Sequence, residues 1–391
     1  MTDVALDALD IAGGMVIGSL PREDEDWLAR GNGDGPLQAI ETALLSGLQR
    51  PPCFVSFSGG RDSSALLALA TDLADRKGLP APVPMTARFE AEEANEEEWQ
   101  KLVLSHLGIK DWVRVDITDE LDLFGPAGSG FLARHGLRYP QNTHFQEPLL
   151  RHAAGGSLLS GAGGDELFEP HRWGRAALVL ARSVPVRRSD ALVLCAALSP
   201  APIRARVHLR GQLVMPEWLK PAGRRILARR IRQWVGEDRV RYDAHLEWWR
   251  RSRYLNHGQH SLELLASDHG VQLIAPFSED RVLQALATEL GRSGFISRSA
   301  AMEHLFGHLL PRAIIDRKSK ATFLSPLVGP LTRAFAKVAE PDSVVSEQLV
   351  DRSALKHAWR RDVVDVRSLP ALQLCWLAQH RPGQERESDD R

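Results

Sequence analysis

The sequence predicts an α/β protein: a doubly wound parallel sheet, followed by a mainly helical C-terminal half. Three observations predict it. Between residues 51 and 118, short apolar runs alternate with segments of helical spacing, the order that winds a parallel sheet. An apolar run stops twice at a glycine-rich turn followed by an acid, at SGGRDSS (58–64) and SGAGGDEL (160–167). From about 172 to 382 the pattern is mostly helical, in Pro-bounded segments.

The elements follow in order. GNGDGP (31–36) is a turn cluster, and LQAIETALLSGLQ behind Pro36 has helical spacing. PPCFVSF (51–57) predicts a buried strand, its prolines confined to the start. SSALLALATDLADRK (63–77) is an amphipathic helix ended by Gly78 and Pro80. PVPMTARF (82–89) predicts a second strand. EEANEEEWQKLVLSHLG (92–108) predicts a helix with acids at the positive end of its dipole. WVRVDIT (112–118) is a third strand, and GGSLLSGAGGDELF (155–168) a further strand running into glycines. The expected organisation is a lead-in over 1–50 and one domain over 51–382. That domain comprises an α/β core (51–170) and a helical part (171–382), and a polar tail (383–391) follows.

Of 391 residues, 43% are hydrophobic and 25% charged, as in soluble globular proteins. The net charge of −1 makes no argument for nucleic acid or membrane as a partner. Cys53, Cys195 and Cys375 are far apart and odd in number, which suits a reducing cytoplasm. MTDVALDALD lacks the pattern of a signal peptide, and no uncharged apolar run approaches the ~20 residues of a membrane span.

The turn at 58–64 carries the chemistry. Gly59 and Gly60 permit backbone angles and close approach that a Cβ forbids. The helix behind them offers unpaired N–H groups and the positive end of a dipole, an anion site suited to phosphate. Ser58, Ser63 and Ser64 add hydroxyl donors. The turn is neither GxxxxGK[ST] nor GxGxxG. Asp62 repels phosphate unless a cation sits between them, and Mg²⁺ binds through one or two carboxylates plus substrate phosphates. The turn therefore predicts Mg-bound pyrophosphate of a nucleotide. A tight turn whose Asp and Ser merely cap a helix has the same local pattern. The second loop, with Asp165 and Glu166, ends a strand in the same way and can face the first at the carboxyl end of a sheet.

SGGRDSS resembles the SGGxDS pyrophosphate loop of the N-type ATP pyrophosphatases, and SGAGGDELF resembles the second motif of the asparagine synthetase family. That family includes asparagine synthetase, β-lactam synthetase and the lasso-peptide macrolactam cyclases. Asn95-Glu96, APFSEDRVL (275–283) and LPRAIIDRKSKATFLSP (310–326) resemble further family segments in the right order, so the resemblance covers roughly 50–335. It implies an adenine nucleotide α-hydrolase-like sheet with ATP and Mg²⁺ as cofactors. Ser58, Gly59, Gly60, Asp62, Ser63 and Ser64 would wrap pyrophosphate, with Asp62 and Asp165 as Mg²⁺ ligands. Val55 and Phe57, and Met85 or Thr86, would border adenine, while Ser160 and Gly161 would touch the nucleotide through backbone. Lys320 would stabilise the leaving pyrophosphate and the adenylate, and Asp165 and Glu166 are further catalytic candidates. The implied reaction is adenylation of a carboxylate, then amide formation with an amine and release of AMP.

The chain also departs from the family pattern. Thr2 follows Met1 where glutamine-hydrolysing members have a cysteine, and about 50 residues do not hold a glutaminase domain. The expected nucleophile is therefore free ammonia or a substrate amine. Ala162 stands where asparagine synthetase has a glutamate and β-lactam synthetase a tyrosine, so the amine's proton must go elsewhere: His144, Glu166 or the adenylate phosphate. Ile274, Ser278, Glu279, Lys318 and Thr322 replace other motif residues. A carboxylate other than aspartate is expected, in natural-product or peptide biosynthesis.

His171-Arg172-Trp173 can line an acceptor pocket or simply pack; His304 and His308 share a helix face without a recognisable metal motif. One of the adjacent Trp248 and Trp249 belongs to the core. Residues 201–260 hold 14 Lys+Arg against 5 Asp+Glu, a net of +9, with interleaved aromatics. This reads either as a solvated face paired with the acidic run Glu90–Glu98 or as a surface for an acidic peptide or protein. Besides the amide ligase, two readings stand: a degenerate ATP-binding partner protein, motivated by Ala162, and a tRNA-modifying ATP pyrophosphatase using the basic stripe. The latter lacks an evident catalytic cysteine or RNA domain, so nucleic acid is the less favoured partner.

Overall fold

A computed structural model describes residues 5–22, 27–31, 33–89, 96–118, 120–318, 327–341 and 345–380. Five parallel strands form one sheet in the order β3-β2-β1-β4-β5. They are β1 Cys53–Ser56, β2 Val83–Phe89, β3 Val113–Ile117, β4 Ser157–Leu159 and β5 Gln272–Ile274. The chain winds outward from β1 in one direction through β2 and β3, then returns to the other side of β1 for β4 and β5. The reversal leaves a crevice at the carboxyl ends of β1 and β4. Sequence pattern locates the first four strands. β5 is missed because its three residues run directly into a motif read only for its chemistry.

Alternation across the pleat sorts the side chains. Val55, Leu159 and Ile274 join a core with the helices Pro36–Leu48 and Arg61–Lys77, where Ile40, Leu44, Leu66 and Leu69 are fully buried. Phe54, Met85 and Leu158 face the opposite layer, against Leu150 and Leu265. A third core belongs to the C-terminal helices, around Trp218, Trp359 and Leu369. The N-terminal helix Ala8–Gly13 enters it: Trp218 Nε1 donates to Ala12 O at 2.8 Å. Buried Asp10 accepts from Arg253 at 2.6 Å and Arg230 at 3.1 Å. These contacts tie Asp10 and Ala12 of the lead-in to the helical half. No helix among the described residues is long and apolar enough to cross a membrane.

Candidate active site

The loop after β1 is shaped by one glycine that has no room for a side chain. Gly59 has φ +83°, and a Cβ there would lie 2.9 Å from Gln100 Cγ. Gln100 Nε2 in turn donates to Ser58 O at 3.1 Å. Gly60 is the N-cap of the helix Arg61–Lys77, whose 17 residues end in a left-handed Gly78. Its N-terminus therefore opens directly onto the loop. Ser58 and Ser63 hydroxyls lie 3.1 Å apart, and Ser58 Oγ also accepts from Gly60 N at 3.3 Å. Ser64 is fully buried, so its hydroxyl does not open onto the loop surface as expected.

Arg317 clamps this loop from outside. It is 5% exposed, donates from Nη1 to Gly59 O at 2.7 Å, pairs with Glu96, and stacks over Trp99 at 4.6 Å. A fully enclosed guanidinium needs such partners, because an uncompensated buried charge is costly. Arg317 was not a sequence candidate; it lies within the segment 310–326, next to Lys318, but that segment was read for Lys318, Lys320 and Thr322. Lys320 and Thr322 lie outside the described residues, as does Asn95.

The second loop, after β4, packs against the first. A Cβ at Gly161 would sit 3.3 Å from Ser63 N, and one at Gly164 would sit 2.6 Å from Asp62 Cγ. Bare backbone at Gly164 is what lets the Asp62 carboxylate nest against the second loop. Ser160 N is bonded to Ile274 O at 2.8 Å, so that amide is committed to β5 rather than to a ligand.

Asp62 and Asp165 come together as the sequence predicts, and a cation joins them: the guanidinium of Arg298. Its Nη2 donates to Asp62 Oδ2 at 2.5 Å, and its Nη1 to Asp165 Oδ1 at 2.7 Å and Glu169 Oε1 at 3.1 Å. Arg298 is desolvated, which opposes its charge, but the surrounding carboxylates outweigh this and hold it firmly protonated. The residues fit a magnesium ion. Two carboxylates from separate loops converge on one positive group beside a helix N-terminus. Magnesium held by Asp62 and Asp165 requires Arg298 to release at least one of them. No local motif marks Arg298; its one sequence signal is Ser297, whose hydroxyl caps the helix Arg298–Phe306.

Two cavities flank the loops. One of about 170 Å³ lies at the ends of β1, β2 and β3, lined by Phe57, Ser58, Met85, Phe89, Gln100 and Phe145 among others. Val55 does not line it; it is fully buried in the opposite layer. Thr86 is also buried, its hydroxyl donating to Phe57 O at 2.5 Å. The second cavity, about 340 Å³, lies beyond β4 and β5 and is lined by Ala162, Gly163, Glu166, Tyr254, Gln259 and Glu279 among others. Tyr254 Oη donates to Glu166 Oε1 at 2.6 Å. Burial pushes both the Tyr254 phenol and the Glu279 carboxyl up. A further cavity of about 490 Å³ shares Leu255, Gln259, Glu263, Ser278 and Glu279 with it.

The remaining candidates fall outside these cavities. His144 is 2% exposed, its Nε2 3.0 Å from Leu121 O, and it does not line the Ala162 cavity. Trp173 packs with Ala176 and Ala197, and His171 stacks on His245 at 4.5 Å. His304 Nε2 pairs with Glu289 at 2.6 Å, and no cluster of three or more metal-ligating side chains occurs among the described residues. Trp249 is the core member of its pair; Trp248 Nε1 donates to Trp234 O at 3.0 Å. Glu96 and Glu97 pair with Arg317, Lys101 and Arg114, so neither of these two acids neutralises the basic stripe.

A doubly wound sheet with a glycine loop and an acid on each side of its switch point defines a nucleotide-binding α/β protein. The match to known families is more specific: residues 41–378 match the family described as asparagine synthase, and the chain belongs to that family. Its members are ATP-dependent carbon–nitrogen ligases. No curated relative is matched.

Proposed function

We propose that this protein adenylates a carboxylate with Mg-ATP and passes the acyl group to an amine, forming an amide with AMP and pyrophosphate as products. The observation that carries the proposal is the convergence of Asp62 and Asp165 on one cation between the two glycine loops. In this reading the helix N-terminus at Gly60, with Ser58 and Ser63, holds pyrophosphate. Asp62 and Asp165 hold magnesium, which supplies charge neutralisation between the phosphates and the acids. Phe57 and Met85 border the base, and stabilising the leaving group is the role assigned to Lys320.

The carboxylate oxygen attacks the α-phosphorus and the bond to the bridging oxygen of pyrophosphate breaks. The amine then attacks the acyl carbon, and the carbon–oxygen bond to AMP breaks. The proton shed by the amine goes to Glu166, which Tyr254 orients; this pair takes over what Ala162 cannot do. The adjoining cavities exceed the needs of a single small amino acid, which supports a natural-product or peptide substrate.

Calorimetric titration with an ATP analogue blocked between the α and β phosphates, with and without Mg²⁺, tests the site. Binding is expected to need Mg²⁺ and to fall at least about 100-fold in Asp62→Ala. Magnesium-independent binding, or an unaffected variant, overturns the assignment. With an accepted substrate, ADP and phosphate in place of AMP and pyrophosphate would exclude the reaction. Tyr254→Phe is expected to lower turnover about 10–100-fold while leaving nucleotide affinity unchanged.

A further inference from the structure

A groove of about 970 Å³ lies between the helices Ala201–His208 and Pro221–Glu237. Seven arginines line it, and Glu237 is its one acid. Arg225, Arg229 and Arg232 stand at i, i+4 and i+7, so they share one helix face over a span of about 10 Å. They are exposed and have no carboxylate partner among the described residues. Elsewhere in the same basic stretch four arginines are paired: Arg230 and Arg253 hold Asp10, Arg241 holds Asp243, and Arg250 holds Asp280. The groove thus concentrates guanidinium charge on one helix face with no carboxylate paired to it among the described residues.

Apolar residues also line it: Ala201, Pro202, Leu213, Met215 and Ala228. Apolar exposure continues past its edge: Ile203 is 50% exposed, Val214 68%, Leu198 64% and Leu192 80%. Leu192 belongs to Asp190–Ala197, a helix apolar on nearly every face yet largely solvent-facing. Such a helix is ordinarily buried. The aromatics that read as nucleic-acid stacking platforms are elsewhere. Trp218, Tyr242 and Trp249 are at most 5% exposed, and Trp234 packs on Trp248.

We propose that this groove docks an acidic polypeptide segment carrying apolar side chains. Its carboxylates would meet the row Arg225, Arg229 and Arg232, and its apolar residues would cover Leu213, Met215 and Ala228. Carboxylate spacing along a helix or strand matches a row of guanidiniums one helix turn apart, and each contact is a charge-assisted hydrogen bond. This inference stands apart from the ligase reading, since the groove shares no lining residue with the cavities beside the nucleotide loops.

Fluorescence anisotropy with a labelled peptide of four Glu-Glu-Leu repeats tests it on the full chain. Saturable binding is expected, weakened at least tenfold in R225E/R229E/R232E and severalfold when serine replaces leucine in the probe. Absence of saturable binding to wild type overturns the proposal. So does unchanged binding in the triple variant, or tighter binding of a single-stranded RNA than of the acidic peptide. Mg-dependent nucleotide titration of the triple variant shows that it is folded and separates this test from that of the ligase site.

Discussion

The two glycine loops and the arginine groove use charge in opposite ways. At the loops every charged group is answered: Asp62, Asp165 and Glu169 surround Arg298, while Arg317 is closed in by Gly59 O, Glu96 and Trp99. In the groove Arg225, Arg229 and Arg232 are exposed beside apolar side chains. The loops are preorganised around buried charge, so a single atom added there must be felt. The groove is built of exposed side chains, and its fold tolerates their loss. The first arrangement suits binding a small polyanion in one pose, and the second suits a partner whose own surface completes it.

The sharpest way to break the contrast is Gly164→Ala. The new Cβ would lie 2.6 Å from Asp62 Cγ, so the carboxylate must move. Nucleotide affinity is expected to fall at least about 100-fold in calorimetry, with a stability cost of about 1–3 kcal/mol. Preserved affinity would mean that the position of Asp62 does not matter. Arg298→Met leaves three acids facing one another and is expected to cost about 3 kcal/mol without metal. Magnesium should restore much of that stability in thermal melts of the variant and little in wild type. Failure of magnesium to do so would show that the gap suits a guanidinium and not a metal.

A smaller effect is set by pH at the base of the helical corner. His171 is enclosed against His245, Tyr242 and Val240 O, and burial, reinforced by the neighbouring His245, pushes its pKa down to about 4. The fold requires the neutral ring, so the unfolded chain binds the extra proton first. Stability from this site is complete above pH 6.5 and is lost as pH falls toward 4, by about 2 kcal/mol. Urea melts at pH 7 and pH 4.5 should show the difference shrinking in His171→Gln. The smallest effect belongs to the groove side: Leu192→Ala, at a position 80% exposed, should change stability by less than about 0.5 kcal/mol. A larger loss in the isolated chain would show that Leu192 is already covered.

Local pattern was enough for the parallel sheet up to β4, for the helix behind the first loop, and for both glycine turns. The reason is physical: strand alternation, helix periodicity and a backbone anion site are each written within a few successive residues. The same locality explains why SGGRDSS and SGAGGDEL could be read as a pair of acids with a cation between them. Tertiary structure decided which cation stands there in the free chain. Arg298 lies 236 residues from Asp62 and 133 from Asp165, and no motif links them. The clamp of Arg317 on Gly59, 258 residues away, and the reach of Tyr254 to Glu166 were equally invisible. The basic stripe was legible as composition, but which of its arginines are spent on Asp10, Asp243 and Asp280 depends on packing. Charge counts add along a chain; neutralisation depends on distances that only the folded chain sets.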